Sequence, residues 1–119
     1  MNKNVSWIFE LALTKGNPND LKKLMVELVE STKNNEPGTL AYEWTLNEDN
    51  NICHIHERYS DSNSALIHLN TFNENFAERL MAIGDATGFV VYGNPSNELK
   101  DALEAFGGTY MSPIGGFTR

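Results

Sequence analysis

Several things are scarce in this chain, and each scarcity removes a class of function. One cysteine, Cys53, stands in 119 residues, so neither an internal disulfide framework nor a multi-cysteine zinc site can be built. A lone thiol suits a reducing compartment. Positive charge is sparse as well: 9 Lys and Arg face 16 Asp and Glu, for a formal net charge of −7. With no basic run to neutralise phosphates, nucleic acid is not an expected partner, and an anionic membrane surface is disfavoured for the same reason. No apolar stretch approaches the roughly 20 residues of a spanning helix. The early run Val5–Leu13 is interrupted by Glu10, and no small-residue cleavage site follows it closely, so it does not read as a signal peptide. Glycine-rich phosphate loops are missing too. The expectation is a cytoplasmic domain that binds no nucleotide.

What is present is regular alternation. The length suits one domain spanning 1–119. Val5, Trp7, Phe9, Leu11 and Leu13 recur at every second position, which predicts a strand with one strongly apolar face. Asn17-Pro18-Asn19-Asp20 then supplies a cap, a first-turn proline and an acid suited to the helix dipole. Leu21, Leu24, Met25, Leu28 and Val29 continue at helical spacing. After the Pro37-Gly38 turn, Thr39–Leu46 alternates, with Leu40, Tyr42, Trp44 and Leu46 expected on one face. The polar loop Asn47–Asn51 joins it to a partner strand, Ile52–Tyr59. In that strand Ile52, His54, His56 and Arg58 point one way; Cys53, Ile55, Glu57 and Tyr59 point the other.

Ser60-Asp61-Ser62 is rich in capping residues and opens a second helix, whose stripe runs Ala65, Leu69, Phe72, Phe76, Leu80 and Ile83. A break is expected between Asn70 and Asn75. Gly84–Gly88 should end the helix, Phe89–Tyr92 should form a strand, and Ser96 should cap a last helix through Leu99, Leu103 and Phe106. A short strand at Thr109–Met111 and a glycine-containing tail follow. The order strand, helix, strand, strand, helix, strand is the ferredoxin-like arrangement: an α+β fold with an antiparallel sheet and helices on one face. Large apolar groups on the first strand suggest that the second sheet face also needs a cover, for which a second copy of the chain is the simplest candidate.

The block Glu36-Pro37-Gly38-Thr39-Leu40-x-Tyr42-Glu43-Trp44, followed by Glu57-x-Tyr59-x-Asp61-Ser62-x-x-Ala65-x-x-His68, resembles the antibiotic biosynthesis monooxygenase family, in particular its quinol monooxygenase branch. The likeness extends from about Val5 to Tyr92 and leaves the segment 96–119 outside. It implies a homodimeric α+β barrel in which two sheets face each other. It also implies oxidation of a small aromatic or quinol-type molecule by dioxygen without a cofactor. Within the wider superfamily it leaves open a non-catalytic small-ligand-binding dimer and, further off, a haem-handling protein.

The resemblance aligns His68 with the branch's helical histidine. An imidazole of ordinary pKa near 6.5 can remove a phenolic proton, or it can simply satisfy a backbone group or carboxylate at the edge of the stripe. Glu57 can orient such a base, or pair with Arg58, Arg79 or a lysine as plain structure. Tyr42, Trp44, Tyr59 and Phe72 are candidates for the walls of a ring-binding pocket, set against the commoner roles of aromatics in cores and interfaces. His54-x-His56 places two imidazoles on one strand face. A metal site needs a third ligand, and Glu57 points to the opposite face, so a polar or dimer-facing pair is the expectation. Cys53 on its strand reads as a buried, inert thiol.

Overall fold

The computed structural model describes residues 2–119. Strand β1 (Val5–Ala12) is followed by helix α1 (Pro18–Asn35), β2 (Thr39–Leu46), β3 (Ile52–Tyr59), α2 (Ser62–Asn75), α3 (Ala77–Met81), β4 (Asp85–Tyr92), α4 (Asn97–Leu103) and a short β5 (Thr109–Met111). The sheet order is β2-β3-β1-β4-β5. The first four strands pair antiparallel, and β5 adds to β4 in parallel, which makes the sheet mixed at that edge. This is the ferredoxin-like arrangement with one strand appended.

Local chemistry accounts for the helix starts. The Asn17 side chain accepts from the Asp20 N–H, and the Asp20 carboxylate accepts from the Asn17 N–H, a reciprocal capping box with Pro18 in the first turn. Asp61 caps α2 through the Ser64 N–H at 2.8 Å, and Ser96 caps α4 through the Leu99 N–H at 3.1 Å. The break in the long helical stripe falls at Phe76, one residue beyond the expected Asn70–Asn75 window.

Helices cover one sheet face. Beneath them lie Val5, Trp7, Phe9 and Leu11 of β1, Cys53, Ile55 and Tyr59 of β3, and Phe89 and Val91 of β4. Leu21, Leu24 and Leu28 of α1, Ala65 and Leu69 of α2, and Leu99 and Leu103 of α4 close over them. Helix α4 therefore belongs to the core, whereas residues 109–119 lie exposed.

Three expectations need correction. The apolar face of β1 is the covered face. The open face carries Ser6, Ile8, Glu10, His54, His56 and Arg58, a mixed and mainly polar surface. Leu40 does not share a side with Tyr42 and Trp44 either: the β2–β3 register slips between Thr39 and Ala41, and this bulge leaves Leu40 54 % exposed. β4 also begins earlier than the apolar run Phe89–Tyr92 suggests. Its first half, Asp85–Gly88, is polar and pairs with β1 across a second slip near Glu10 and Leu11. Among the described residues no helix is long and apolar enough to cross a membrane.

Candidate active site

The strand register assembles the site before any helix is added. Glu57 of β3 stands opposite Trp7 of β1 and Tyr42 of β2, so Tyr42, Glu57 and Trp7 form one row across the covered face. The next row is Trp44, Ile55, Phe9 and Phe89. A carboxylate in the middle of an aromatic row is costly unless it is paired.

Helix α2 brings the partner. Ala65, His68, Leu69 and Phe72 recur at i, i+3, i+4 and i+7, and this stripe faces the sheet. His68 Nε2 lies 3.3 Å from Glu57 Oε1, and its Nδ1 lies 2.8 Å from Glu36 Oε1. The imidazole and Glu36 side chains are each 4 % exposed and that of Glu57 is 8 % exposed. The same oxygen, Glu57 Oε1, accepts a 2.5 Å hydrogen bond from the Tyr59 hydroxyl. The buried chain thus runs Glu36, His68, Glu57, Tyr59.

Glu36 was not apparent as a site residue from sequence. It is the C-cap of α1 and opens the Pro37-Gly38 turn, where an acid looks like loop chemistry. Only its distance to His68, 32 positions away in the chain, reveals it.

Two carboxylates flank one imidazole, which leaves a surplus of negative charge in a dry place. The cluster answers by holding protons tightly. Burial pushes the Glu57 carboxyl above its ordinary range, partly offset by the His68 charge and the Tyr59 hydrogen bond. For His68, burial disfavours the charged ring, but the Glu36 hydrogen bond and the charges of Glu57 and Glu36 outweigh it, so its pKa is raised. Burial, followed by the Glu57 charge, drives the Tyr42 and Tyr59 phenols well upward, so both remain O–H donors.

These groups border a cavity. Glu57, His68 and Tyr42 form its polar end, while Trp7, Phe9, Leu69, Phe72, Phe89 and Phe106 form much of the apolar remainder. Space for water centres is about 30 Å³, enough for one or two waters. A ring-sized guest enters only if a wall side chain moves. Phe72 and Phe106 are the half-buried members of that wall. Phe106 follows α4, so the C-terminal segment contributes directly to the cavity.

Of the sequence candidates, His68, Glu57, Tyr42 and Phe72 meet at this cavity. Tyr59 sits behind Glu57, its ring 5.5 Å from that of His68 and 4.7 Å from that of Trp7. Trp44 lies instead beside Leu21, Met25, Leu46 and Cys53. Its ring stands 5.8 Å from that of Tyr42, and its indole N–H is buried with no acceptor among the described residues. Sequence reasoning passed over Trp7, Phe9, Phe89 and Phe106 as site residues, because their spacing reads equally well as core.

On the open face His54 Nε2 lies 2.8 Å from Glu10 Oε1, which lowers the Glu10 pKa, and the His56 ring stands 6.4 Å from that of His54. Among the described residues no three His, Cys, Asp or Glu side chains are grouped as a metal site would require. Burial pushes the Cys53 thiol up to about 11, which keeps it protonated and unreactive.

The class defined so far is a ferredoxin-like α+β domain with a buried carboxylate–imidazole pair opening on an aromatic cavity. The sequence pattern of the antibiotic biosynthesis monooxygenase family matches residues 5–78, and the chain belongs to that family. Solved structures agree on the fold. MupZ from Pseudomonas fluorescens superposes with a TM-score of 0.85 at 22 % identity, over 100 % of this chain and 91 % of its own. SnoaB, a cofactor-independent oxygenase from Streptomyces nogalater, gives 0.67 at 12 % identity, over 80 % of this chain and 96 % of its own. Rv0793 from Mycobacterium tuberculosis gives 0.60 at 17 % identity, over 74 % and 91 %. No curated protein sequence matches the chain.

Proposed function

We propose that this protein is a cofactor-independent monooxygenase acting on a small, electron-rich aromatic molecule of the phenol or quinol type. The observation that carries this reading is the buried Glu57–His68 pair at the polar end of an aromatic cavity. In its neutral form His68 is the base that takes the phenolic proton of the bound substrate, at the Nε2 nitrogen beside which Glu57 orients the ring. The resulting anion is electron-rich enough to pass an electron to dioxygen. One oxygen atom then enters the ring carbon and the other leaves as water, with the substrate supplying every electron. Tyr42 donates its hydroxyl to a substrate oxygen, and Phe72 supports the ring. Trp44 and Tyr59 serve from behind these walls. SnoaB's description as a cofactor-independent oxygenase supports the same chemistry on the same scaffold.

A cytoplasmic homodimer is part of the reading. Ile8, Val90 and the 39 % exposed Tyr92 on the open sheet face are apolar surface that a second copy can cover, and the dimeric mass in solution at micromolar concentration tests it.

The functional test is oxygen uptake by wild type and His68→Ala against a panel of quinols and phenols, with anaerobic controls. Wild type consumes oxygen with at least one ring and the variant loses most of that rate. Undiminished uptake by the variant removes His68 from the reaction. Ligand-induced thermal stabilisation with no oxygen uptake leaves a small-molecule-binding dimer instead.

A further inference from the structure

We propose that Glu36 is a positioning residue: it captures the Nδ1–H of His68 and so reserves Nε2 for proton exchange with Glu57 and the cavity. The catalytic consequence rests on the monooxygenase reading above; the tautomer itself does not.

A neutral imidazole carries one proton on one of two nitrogens, and the hydrogen bond made at one nitrogen decides which. At Nδ1 the partner is Glu36 Oε1 at 2.8 Å, while at Nε2 it is Glu57 Oε1 at the longer distance of 3.3 Å. The shorter bond to a carboxylate holds the proton at Nδ1. Nε2 is then the nitrogen that gains or gives a proton across to Glu57, which lines the cavity with His68. Glu36 does not line it, so it reaches any reacting atom only through the ring.

The setting of Glu36 argues against an incidental contact. It stands at the C-terminal end of α1, the negative end of the helix dipole, where a carboxylate is disfavoured. It is also buried, which disfavours the charge again. One of its oxygens, Oε2, has no hydrogen-bond partner among the described residues, while Oε1 accepts from the Thr39 hydroxyl at 3.2 Å as well as meeting His68. A carboxylate with these liabilities needs the imidazole, and the backbone is arranged to bring them together. The Ser60 N–H donates to the Gly38 carbonyl at 2.9 Å, and the Thr39 N–H donates to the Glu36 carbonyl at 3.1 Å, which fixes the turn against the start of α2. The titratable groups facing His68 are Glu36 from the end of α1, Tyr42 from β2, and Glu57 and Tyr59 from β3. Of these, only Glu36 meets Nδ1.

The test has an arm that needs no activity. Nitrogen-15 NMR of the full chain, with His68 assigned by its loss in His68→Ala, reads the tautomer as pH is raised until the ring is neutral. The expected result is a ring protonated at Nδ1 in wild type, with a lower imidazole pKa in Glu36→Gln. A wild-type ring protonated at Nε2 overturns the proposal, as does an unchanged titration in a folded Glu36→Gln. The second arm is kinetic. On any substrate that wild type turns over, Glu36→Gln lowers kcat by on the order of 10- to 100-fold with little change in KM. The acidic limb of its pH profile moves to lower pH, and Glu36→Asp recovers part of the rate. An unmoved profile assigns Glu36 a structural role alone. Should no substrate be found, the functional reading fails while the tautomer arm still decides on Glu36. Should Glu36→Gln fail to fold, the wild-type tautomer decides.

Discussion

Gly38 lies so close to Ser64 that a Cβ built on it would stand 2.1 Å from the serine hydroxyl oxygen and 2.6 Å from its Cβ. Ser64 is in the first turn of α2, four positions before His68, and so the two lie on one side of that helix. Glycine at 38 thus lets the turn settle onto the helix, and the same descent brings Glu36 to the imidazole. Gly38→Ala should lift the turn, at a cost of about 1–3 kcal/mol as for other overpacked sites. Urea denaturation checks the cost. Loosening of the Glu36–His68 contact should appear as a lowered His68 pKa by NMR. Removing the opposing side chain as well, in Gly38→Ala/Ser64→Gly, should restore much of that pKa.

The Tyr59 hydroxyl is the third support of the buried cluster, and its removal leaves Glu57 with one donor fewer. Tyr59→Phe keeps the ring packed against Trp7 but deletes the 2.5 Å bond. Glu57 Oε1 keeps His68 Nε2 at 3.3 Å, so the cost is that of one hydrogen bond, about 0.5–1.5 kcal/mol, and the variant should unfold at correspondingly lower urea. That hydrogen bond also lowers the Glu57 pKa; without it the carboxyl should titrate still higher. Carbon-13 NMR of the Glu57 carboxyl reads the direction, and an unchanged value would mean that the bond adds nothing in solution.

Much of this architecture is legible in the chain, for physical reasons. Val5, Trp7, Phe9 and Leu11 alternate because only one face of β1 is covered, and Asn17, Asp61 and Ser96 announce helix starts because their side chains satisfy free N–H groups. His68 and Glu57 stand out as polar residues inside apolar patterns. Glu36 does not, because at a helix end before Pro37-Gly38 an acid is ordinary, and its partner comes from a distant helix. The bulge at Leu40 was hidden because Thr39–Leu46 alternates without a visible break. The first half of β4 was hidden because Asp85-Ala86-Thr87-Gly88 holds one strand former, Thr87, among three residues depleted in strands, and pairing with β1 overrides that local preference.

The protonation of this cluster should be visible in stability. His68 has its pKa raised above the ordinary 6.5, so the folded state holds the proton more tightly than the unfolded chain. Its contribution is fully present below pH 6.5 and is lost as pH rises through the folded value. Glu57, raised from 4.5, has the same sign: its contribution is fully present below 4.5 and is lost as pH rises through its folded value. Stability should therefore fall as pH rises from 6.5 upward. Urea midpoints measured from about pH 6 to about pH 9 should show this slope in wild type and a flatter one in His68→Gln. Equal slopes would place the titration elsewhere.

The size of the cavity sets a prediction about access. With a cavity of only about 30 Å³, a ring must displace a wall, and Phe106, just beyond α4, is half-buried. Phe106→Ala should cost less than the about 3–5 kcal/mol of a fully buried phenylalanine. It should also admit single-ring phenols with a faster on-rate. Stopped-flow quenching of tryptophan fluorescence, with Trp7 on the cavity wall, measures that rate. A slower or unchanged on-rate would move the entrance away from Phe106.

Charge should sort the guests that enter. Among the described residues the cavity is bordered by the Glu57 carboxylate and by no lysine or arginine, and the imidazole at its edge, His68, is already shared between Glu57 and Glu36. A ring carrying a carboxylate would bring a second anion against the first. At an effective dielectric constant near 20, two like charges 4 Å apart repel by about 4 kcal/mol, of which the His68 charge cancels a part. An uncharged ring with hydroxyl groups meets no such penalty and donates to an acceptor already in place. Uncharged quinols and phenols should therefore bind at least about tenfold more tightly than the matching aromatic acids at neutral pH. Isothermal titration with pairs that differ only in hydroxyl against carboxylate reads the ratio. Glu57→Gln should narrow it by relieving the acid rather than by weakening the phenol alone. A wild type that prefers the acids would place the ligand's polar end somewhere other than at Glu57 and His68.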